Sequence, residues 1–303
     1  MVKIPPYLKP GNCIGITCPA GFMAVEMAST CIQTLQEWGY AVMVGKTLAS
    51  KSTNYFSGTD EERADELQAM LDDNSINAIL FGRGGYGVGR IIDKLNFRKF
   101  VKNPKWLIGY SDITVLHSHL LNKYNIASMH APMAGAFNDI ENSTDFIDAL
   151  RQAMAGKKAS YTCMPHMLNR KGDVSGILTG GNLSLLTNLI GTPSDFETKN
   201  KILFLEDIGE YLYKIDRMLY QLKRSGKFDK LAGLIIGGFT DMKDTDRFFG
   251  KSIDELIYEV VEDFDFPVCF NFPVSHTKEN YTLKVGGSYQ LKITASKTLL
   301  KEI

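Results

Sequence analysis

Short apolar runs alternate with amphipathic segments along the first half of the chain. Buried strands are predicted at residues 13–18, 41–44 and 76–81, because each run is short, apolar and closed by a proline or a glycine. Two more strands are predicted at residues 105–110 and 126–133. The segments between them repeat apolar residues with the period of a helix, which indicates βαβ units and a parallel sheet covered by helices.

One helix start in this half carries a capping box. Thr59 stands three residues before Glu62, so the hydroxyl of one and the carboxylate of the other can each accept a backbone N–H of the partner. A helix is therefore predicted to run from this point to about residue 71. Further helices are expected at residues 25–38, 87–95 and 112–122.

The second half of the chain has a different pattern. Residues 157–172 are basic and irregular and form the predicted linker. Beyond them, a turn is expected at Gly180-Gly181, and two strands near the end are expected to form an antiparallel hairpin around Gly286-Gly287. The predicted fold class is α/β. It has an N-terminal domain, residues 1–156, on a flavodoxin-like, three-layer parallel sheet, and a mixed C-terminal domain, residues 173–303, with antiparallel strands.

Composition argues against several classes of partner. Lys plus Arg and Asp plus Glu number 34 each, so a net charge of zero gives no electrostatic reason for a nucleic-acid or anionic-membrane partner. The longest strongly apolar run, residues 231–239, is far shorter than the about 20 residues that span a bilayer. Residues 1–10 lack the apolar core of a secretory signal, and the five cysteines include no Cys-x-x-Cys pair. A cytoplasmic protein is expected.

The strongest candidate for a catalytic residue is a serine between a strand and a helix. The strand predicted at residues 105–110 delivers Ser111 to a tight turn, and a helix begins at Asp112. Such a turn presents a hydroxyl at the carboxyl edge of a parallel sheet and aims helix N–H groups at a developing oxyanion. The alternative is that Ser111 is only a helix N-cap. The turn also lacks the second glycine of Gly-x-Ser-x-Gly, since Ile113 fills that place.

A glycine-rich loop follows the strand predicted at residues 76–81. Gly82, Gly84 and Gly87 satisfy the dinucleotide fingerprint Gly-x-Gly-x-x-Gly between a strand and a helix. A dinucleotide site is one interpretation of this loop. The other is that its backbone N–H groups approach a different anionic atom, such as the oxygen of a tetrahedral intermediate.

Only five histidines are available as a general base. His117 and His119 stand two apart in a helical segment and face different sides, so no shared metal is expected, and no zinc-ligand spacing occurs elsewhere. His130 ends a strand and His276 lies in a polar loop, and each is either a site residue or an ordinary side chain. Glu206 ends a predicted strand, where it could orient an imidazole or simply be solvated. No metal and no cofactor is predicted.

Taken together and in order, these segments resemble the LD-carboxypeptidase family, which includes the microcin-immunity peptidases. The matching blocks span nearly the whole chain and are residues 10–16, 57–63, 82–87, 109–112, 180–183, 204–207, 213–219 and His276. Three positions depart from the family pattern: Ser275 precedes the histidine, Lys284 stands in place of a proline, and Asn12 replaces an aspartate. None of the three removes a catalytic group.

The resemblance implies a catalytic triad of Ser111, Glu206 and His276, with the nucleophile from the first domain and its two supporters from the second. It implies a serine carboxypeptidase that acts in cell-wall recycling. The substrate would be a peptidoglycan stem tetrapeptide, which loses its terminal D-Ala from an L-configured centre of a diamino acid. The family also suggests a homodimer.

A mechanism follows as a hypothesis. His276 would take the proton of Ser111 during attack on the scissile carbonyl. Backbone N–H groups of Asp112 and of the glycine loop, at Gly84 and Gly85, would bind the oxyanion. The cationic group that specificity requires for the terminal carboxylate is assigned to Arg83, which lies in the same loop.

Two alternatives stay open. The same triad could serve an immunity-type peptidase that cleaves a peptide–nucleotide antibiotic, although residues 182–202 hold no long insertion that could supply an aromatic platform for a nucleobase. A dinucleotide-binding oxidoreductase or binding protein would instead use Gly82, Gly84 and Gly87.

Overall fold

The chain folds around two sheets. A computed structural model describes residues 1–303, except for the side chains of residues 139–143. The first half holds the strands β1 (Cys13–Thr17), β2 (Ala41–Val44), β3 (Ile76–Phe81), β4 (Trp106–Gly109) and β5 (Ser128–His130). Its helices are α1 (Ser29–Glu37), α2 (Asp60–Asp72), α3 (Val88–Ile91), α4 (Arg98–Lys102), α5 (Thr114–Tyr124) and α6 (Ile140–Met154).

The second half contributes eight strands and three helices. The strands are β6 (Ser160–Cys163), β7 (Gly172–Asn182), β8 (Lys201–Ile208), β9 (Gly233–Thr240), β10 (Val268–Cys269), β11 (Leu283–Val285), β12 (Ser288–Ile293) and β13 (Thr298–Glu302). The helices are α7 (Leu183–Leu189), α8 (Leu212–Arg224) and α9 (Ile253–Val261). Short 3₁₀ turns occupy Val25–Ala28, Ile92–Lys94, Ser111–Ile113 and Ala134–Asp139.

The first sheet has the order β11-β5-β4-β3-β1-β2. All neighbouring pairs from β2 to β5 are parallel, and β11 adds to β5 in the antiparallel direction. The residues of β4 are all buried, as expected for a strand covered by helices on both faces. The predicted parallel α/β architecture is confirmed, and the carboxyl ends of β3 and β4 lie side by side.

The capping box at the start of α2 is confirmed. The Thr59 hydroxyl accepts the Glu62 N–H at 3.1 Å, and the Glu62 carboxylate accepts the Thr59 N–H at 2.7 Å. Two of the backbone donors that a helix start leaves unpaired are thereby satisfied. The helix also buries the side chain of Arg63, an outcome that a charged residue in an amphipathic segment does not suggest.

The second sheet is mixed, with the order β10-β9-β8-β7-β12-β13-β6. Strands β7 to β10 are mutually parallel, and β12, β13 and β6 pair in the antiparallel direction. The prediction of a mixed C-terminal sheet with antiparallel strands is confirmed.

The predicted hairpin around Gly286-Gly287 is wrong. β11 pairs with β5 in the first sheet, where Leu283 lies opposite His130. β12 joins the second sheet, between β7 and β13. Both segments have the alternation of a strand, but alternation does not reveal which strand lies alongside, and here the chain crosses between the sheets at the glycine pair.

The turn predicted at Gly180-Gly181 is also wrong, because both glycines lie inside β7. They have φ values of 141° and 140°, which side chains rarely adopt. A Cβ at Gly181 would lie 2.5 Å from the Thr114 hydroxyl oxygen. Gly181 is therefore needed for the close approach of α5 to this strand, and Gly180 for that of Phe204 in β8.

The segment predicted as an irregular linker contains regular structure. Residues 160–163 form β6, which pairs with β13 at one edge of the second sheet. The basic composition of the segment did not reveal this strand, because an edge strand has one face open to solvent and tolerates polar side chains. The division of the chain into residues 1–156, 157–172 and 173–303 stays a prediction.

Candidate active site

Ser111 has a strained backbone at the carboxyl end of β4. Its φ is 61°, in the left-handed region that costs a residue other than glycine roughly 1–3 kcal/mol. It opens the 3₁₀ turn Ser111–Ile113 that leads into α5. Neither helical element is capped by a hydrogen bond from a side chain, so the Ser111 hydroxyl is not used as an N-cap. Such strain persists only where the surroundings enforce it, and it is common at catalytic turns.

The glycine loop packs directly against this serine. A Cβ on Gly84 would lie 2.8 Å from the Ser111 Cβ, 2.9 Å from its Oγ and 3.3 Å from the Asp112 backbone nitrogen. Any side chain at this position would therefore displace the turn. The parallel pairing of β3 with β4 brings the loop and the serine together, since both follow the carboxyl ends of these strands.

His276 and Glu206 form a hydrogen-bonded pair. The imidazole Nδ1 lies 2.5 Å from the Glu206 Oε2, the Glu206 side chain is fully buried, and that of His276 is 9% exposed. Burial alone would lower the pKa of His276, but the hydrogen bond and the charge of Glu206, helped by Asp207, raise it above its ordinary value. The carboxylate thus favours the tautomer with its proton on Nδ1, which leaves Nε2 as the basic nitrogen.

Nε2 of His276 is buried and makes no hydrogen bond to any side chain that the structure describes. It is therefore available as a base, although it does not bond Ser111 in this state. Catalytic hydrogen bonds are often long before substrate binds.

Glu206 reaches the histidine from an irregular point in the second sheet. The register between β8 and β9 shifts between Leu205 and Asp207, so the regular alternation of side chains is broken at Glu206. Asp207 then accepts hydrogen bonds from the Asn182 side chain at 2.8 Å and from the Ser184 N–H at 2.9 Å. Burial raises the pKa of Asp207 to about 6.

One cleft brings the two halves of the site together. Tyr110, which precedes Ser111, meets the His276 ring edge-on with the centroids 4.9 Å apart. Both residues line a cleft of about 520 Å³ with Gly82 and Arg83 of the glycine loop. The remaining walls include apolar side chains from Pro132, Met133, Ala136 and Ile147. The tyrosine that precedes the serine turn and the histidine from the second half therefore share one concave surface.

Arg83 is exposed at this cleft. One guanidinium nitrogen donates to the Phe22 carbonyl at 3.0 Å, which holds the side chain along the wall. Lys278 lines the same cleft, so its walls carry two cations. Such a surface suits a substrate with a carboxylate.

The other strand and helix histidines lie in buried surroundings. His117 lies between the Ser128 hydroxyl and the Gly109 carbonyl, at 2.8 Å from each. His130 packs against Phe204, with the rings 5.0 Å apart, and burial holds its pKa well below the ordinary value. No cluster of three or more His, Cys, Asp or Glu side chains that could hold a metal occurs among the described residues.

The structure favours the serine interpretation of the glycine loop over the dinucleotide one. Gly84 packs against Ser111, and the helix that follows the loop, α3, has only four residues. So short a helix supplies little of the dipole that a pyrophosphate site uses.

Sequence reasoning missed two residues of the site, Tyr110 and Arg63, and assigned to Asp112 only a role for its backbone N–H. Tyr110 contacts the histidine, and the side chains of Asp112 and Arg63 are buried beside the loop. The only signal was the charge of Asp112 in the otherwise uncharged residues 106–116. Arg63 lies in the charged residues 60–66, where solvent exposure is the commoner explanation.

The fold and this cleft define an α/β protein in which a strained serine directly follows Tyr110, whose ring contacts the histidine of a histidine–carboxylate pair. Comparison with known families is more specific. Residues 14–131 match the model of the LD-carboxypeptidase N-terminal domain, and residues 175–291 match that of the LD-carboxypeptidase C-terminal domain. The chain belongs to the LD-carboxypeptidase family, and the resemblance drawn from the sequence is confirmed.

Individual relatives agree with this assignment. A probable murein peptide carboxypeptidase of Bacillus subtilis is 32% identical over 98% of this chain and 94% of its own. The crystal structure of a muramoyltetrapeptide carboxypeptidase from Oxalobacter formigenes has a TM-score of 0.86 and 31% identity, covering 96% of this chain and 98% of that one. The microcin C7 self-immunity protein of Escherichia coli is 28% identical over 92% of this chain and 90% of its own.

No described helix is both long enough and apolar enough to cross a bilayer.

Proposed function

We propose that the protein is a serine carboxypeptidase that releases the terminal D-Ala of peptidoglycan stem tetrapeptides. The observation that carries this proposal is the Glu206–His276 hydrogen bond, whose histidine shares a cleft with Tyr110, the residue directly before Ser111. The relatives named as murein and muramoyltetrapeptide carboxypeptidases support the substrate class.

The reaction begins with attack by the Ser111 hydroxyl on the scissile carbonyl carbon. His276 Nε2 accepts the hydroxyl proton, and Glu206 stabilises the imidazolium through Nδ1. The imidazolium then protonates the D-Ala nitrogen as the C–N bond breaks, which leaves an ester on Ser111. Water then enters and loses a proton to His276 Nε2 as its oxygen attacks the ester carbonyl carbon. The imidazolium returns that proton to the Ser111 oxygen as the ester bond breaks and the shortened peptide leaves.

The oxyanion is held by backbone N–H groups on both sides of Ser111. Asp112 supplies one from the start of the 3₁₀ turn, and the glycine loop supplies another at Gly84 or Gly85. The close contact between Gly84 and Ser111 supports this assignment. One such donor is typically worth about 3 kcal/mol in the transition state.

The terminal carboxylate of the substrate binds Arg83, which is exposed at the same cleft. This pairing is what makes the enzyme a carboxypeptidase rather than an endopeptidase, since a blocked C-terminus would leave the guanidinium unpaired. A cytoplasmic location and a homodimer complete the proposal.

The test is incubation with the tetrapeptide L-Ala-D-Glu-diamino acid-D-Ala, followed by measurement of free D-Ala. We expect release by the wild-type protein, no release by Ser111→Ala, and much weaker binding of substrate by Arg83→Gln. The tetrapeptide with a C-terminal amide is the matched control and should be a poor substrate. Undiminished D-Ala release by Ser111→Ala would overturn the proposal.

A second candidate is an immunity-type peptidase, which the relationship to the microcin C7 self-immunity protein favours. It ranks second because neither of the two tryptophans lines the cleft, and Phe196, in the connection between α7 and β8, is buried. An aromatic platform for a nucleobase is thus not supplied by these side chains. Cleavage of an aminoacyl-sulfamoyl nucleoside faster than the tetrapeptide would reverse the ranking.

A further inference from the structure

Two charged side chains lie buried beside the glycine loop. Arg63 of α2 and Asp112 of the serine turn are both 0% exposed. Burying a charge is costly unless it is paired and hydrogen-bonded, so both residues are retained at an energetic cost that their contacts must offset.

Arg63 joins three separate backbone segments. One guanidinium nitrogen donates to the Pro19 carbonyl at 2.5 Å and to the Gly87 carbonyl at 3.3 Å, and the Nε donates to the Gly58 carbonyl at 3.3 Å. The other terminal nitrogen pairs with the Asp60 carboxylate. The planar guanidinium is suited to holding several acceptors in fixed directions, which lysine cannot do.

Asp112 holds the same end of the loop from the opposite side. Its Oδ2 accepts the Val88 N–H at 2.8 Å, and the Gly87 N–H also favours the ionised carboxylate. Arg63 therefore holds the carbonyl of Gly87, and Asp112 holds the N–H of the next residue, Val88. Asp112 directly follows Ser111, so it links the loop to the turn that carries the nucleophile.

The rest of the loop is oriented by its carbonyls. The Gly84 carbonyl accepts the Gly21 N–H at 3.1 Å, and the Gly82 carbonyl accepts the Gly135 N–H at 3.3 Å. Because a trans peptide points its C=O and N–H in opposite directions, the Gly85 N–H points away from Gly21. Gly21 thus fixes this donor at one end of residues 84–87, and the bonds from Arg63 to Gly87 and from Val88 to Asp112 fix the other end.

We propose that the Asp112 carboxylate and the Arg63 guanidinium are positioning residues, which hold residues 84–87 against the Ser111 turn so that the loop N–H groups stay aimed at the oxyanion. This inference rests on the proposed function. It assigns to Asp112 a role for its side chain that is separate from the role of its backbone N–H. A displacement of about 1 Å in such donors typically costs about 100-fold in rate.

The test uses a reagent that does not depend on the identity of the substrate. A fluorophosphonate reacts with an activated serine: the Oγ–P bond forms, fluoride leaves, and the proton passes to the histidine. The phosphoryl oxygen then occupies the position of the oxyanion. The second-order rate of labelling, followed by mass spectrometry on the full-length protein, thus reports the oxyanion donors, while its final extent reports the folded fraction.

We expect Asp112→Ala and Arg63→Met to lower the labelling rate and the kcat for the tetrapeptide about 100-fold, with KM changed less than about twofold. Asp112→Asn keeps one oxygen that can accept the Val88 N–H, so its labelling rate and kcat should fall only about tenfold. Arg63→Lys keeps the positive charge but loses the planar guanidinium, so its labelling rate and kcat should lie between those of Arg63→Met and the wild type. A purely structural role would reduce the extent of labelling and leave its rate unchanged.

The matched control is Lys105→Met. Lys105 is also a buried cation that donates to backbone carbonyls, those of Met70 and Asp73, but it lies at the opposite, amino end of β4. Its loss should lower stability and leave the labelling rate unchanged. Wild-type labelling rates in folded Asp112→Ala and Arg63→Met would overturn this inference alone. A wild-type protein that does not label at Ser111 would overturn the proposed function with it.

Discussion

In the proposed mechanism, the pKa of the general base His276 is set by competition between burial and two neighbouring carboxylates. Burial of His276 favours the neutral imidazole, whereas the bonded Glu206 and the nearby Asp207 favour the imidazolium. The carboxylates win, so the pKa of His276 lies above its ordinary value. The same pair that fixes the tautomer therefore also sets the pH at which the base becomes available.

This balance predicts the pH dependence of kcat/KM. Because the base must be neutral to accept a proton, kcat/KM should rise with pH. The midpoint of this rise should lie above about 6.5, the ordinary histidine pKa. In Glu206→Gln, His276 stays buried but loses the negative charge beside it, so the midpoint of the rise in kcat/KM should move below about 6.5. The kcat should fall by about 10⁴-fold. Steady-state rates between pH 5 and pH 9 would show both changes.

Asp112 is the control for this measurement. Burial raises its pKa to about 6, so its titration could add to the acid limb. If the titration of His276 causes the rise in kcat/KM, the midpoint of this rise in Asp112→Asn should stay at the wild-type pH. If the rise in kcat/KM of Glu206→Gln had its midpoint at or above the wild-type pH, the assignment of His276 as the base would be contradicted.

At the scale of elements, the site depends on two strand-to-helix connections that touch. The loop after β3 and the turn after β4 meet at Gly84 and Ser111, where there is no room for a side chain. The approach is possible because β3 and β4 are neighbouring parallel strands. The glycine pattern that resembles a dinucleotide fingerprint is thereby explained by packing against the serine.

Gly84→Ala tests this contact. The added Cβ would lie within 3 Å of the Ser111 side chain, so the turn or the loop must shift, and we expect kcat to fall about 100-fold or more. Gly89→Ala is the matched control, since a Cβ there meets nothing within 4 Å and lies in α3. It should retain full activity and gain up to about 1 kcal/mol of stability. Equal kcat values in the two variants would contradict the packing explanation.

At the scale of the whole molecule, a buried ion pair connects the two sheets. Lys284 on β11 lies 2.9 and 3.0 Å from the two carboxylate oxygens of Glu302 on β13. The lysine also donates to the Tyr7 hydroxyl at 3.2 Å and to the Lys157 carbonyl at 3.3 Å. The departure from the family pattern at position 284 therefore makes a structural contact between the two sheets.

Removing one partner of this pair should be costly. Lys284→Met leaves the Glu302 carboxylate buried without its cation, and we expect the free energy of unfolding to fall by about 3–5 kcal/mol. The double variant Lys284→Met/Glu302→Leu should recover part of the loss, because no buried charge remains. Urea denaturation would measure both changes.

An exposed pair provides the comparison. Lys251 and Glu259 are each 45% exposed, so Lys251→Met should cost less than about 1 kcal/mol. If Lys251→Met and Lys284→Met lowered the free energy of unfolding equally, the inter-sheet pair would contribute no more to stability than an exposed pair.

Much of the first half could be predicted from local pattern. The strands at residues 41–44 and 76–81 and the capping box at Thr59 agree with the structure, since a run of apolar residues or a cap depends only on near neighbours. The helices α6 and α9 were not predicted, and the hairpin at Gly286-Gly287 was predicted wrongly. The partners of a strand lie far away in sequence, and local alternation carries no information about them.

The sequence by itself determined the family, the alternation of strands and helices, and a serine between a strand and a helix. Only the tertiary structure decided that Ser111 is strained rather than an N-cap, that His276 bonds Glu206, and that Asp112 and Arg63 are buried beside the loop. The physical reason is range. Periodicity and capping act within a few residues, whereas burial, strain and the meeting of a carboxylate with an imidazole 70 residues away depend on how the two sheets pack.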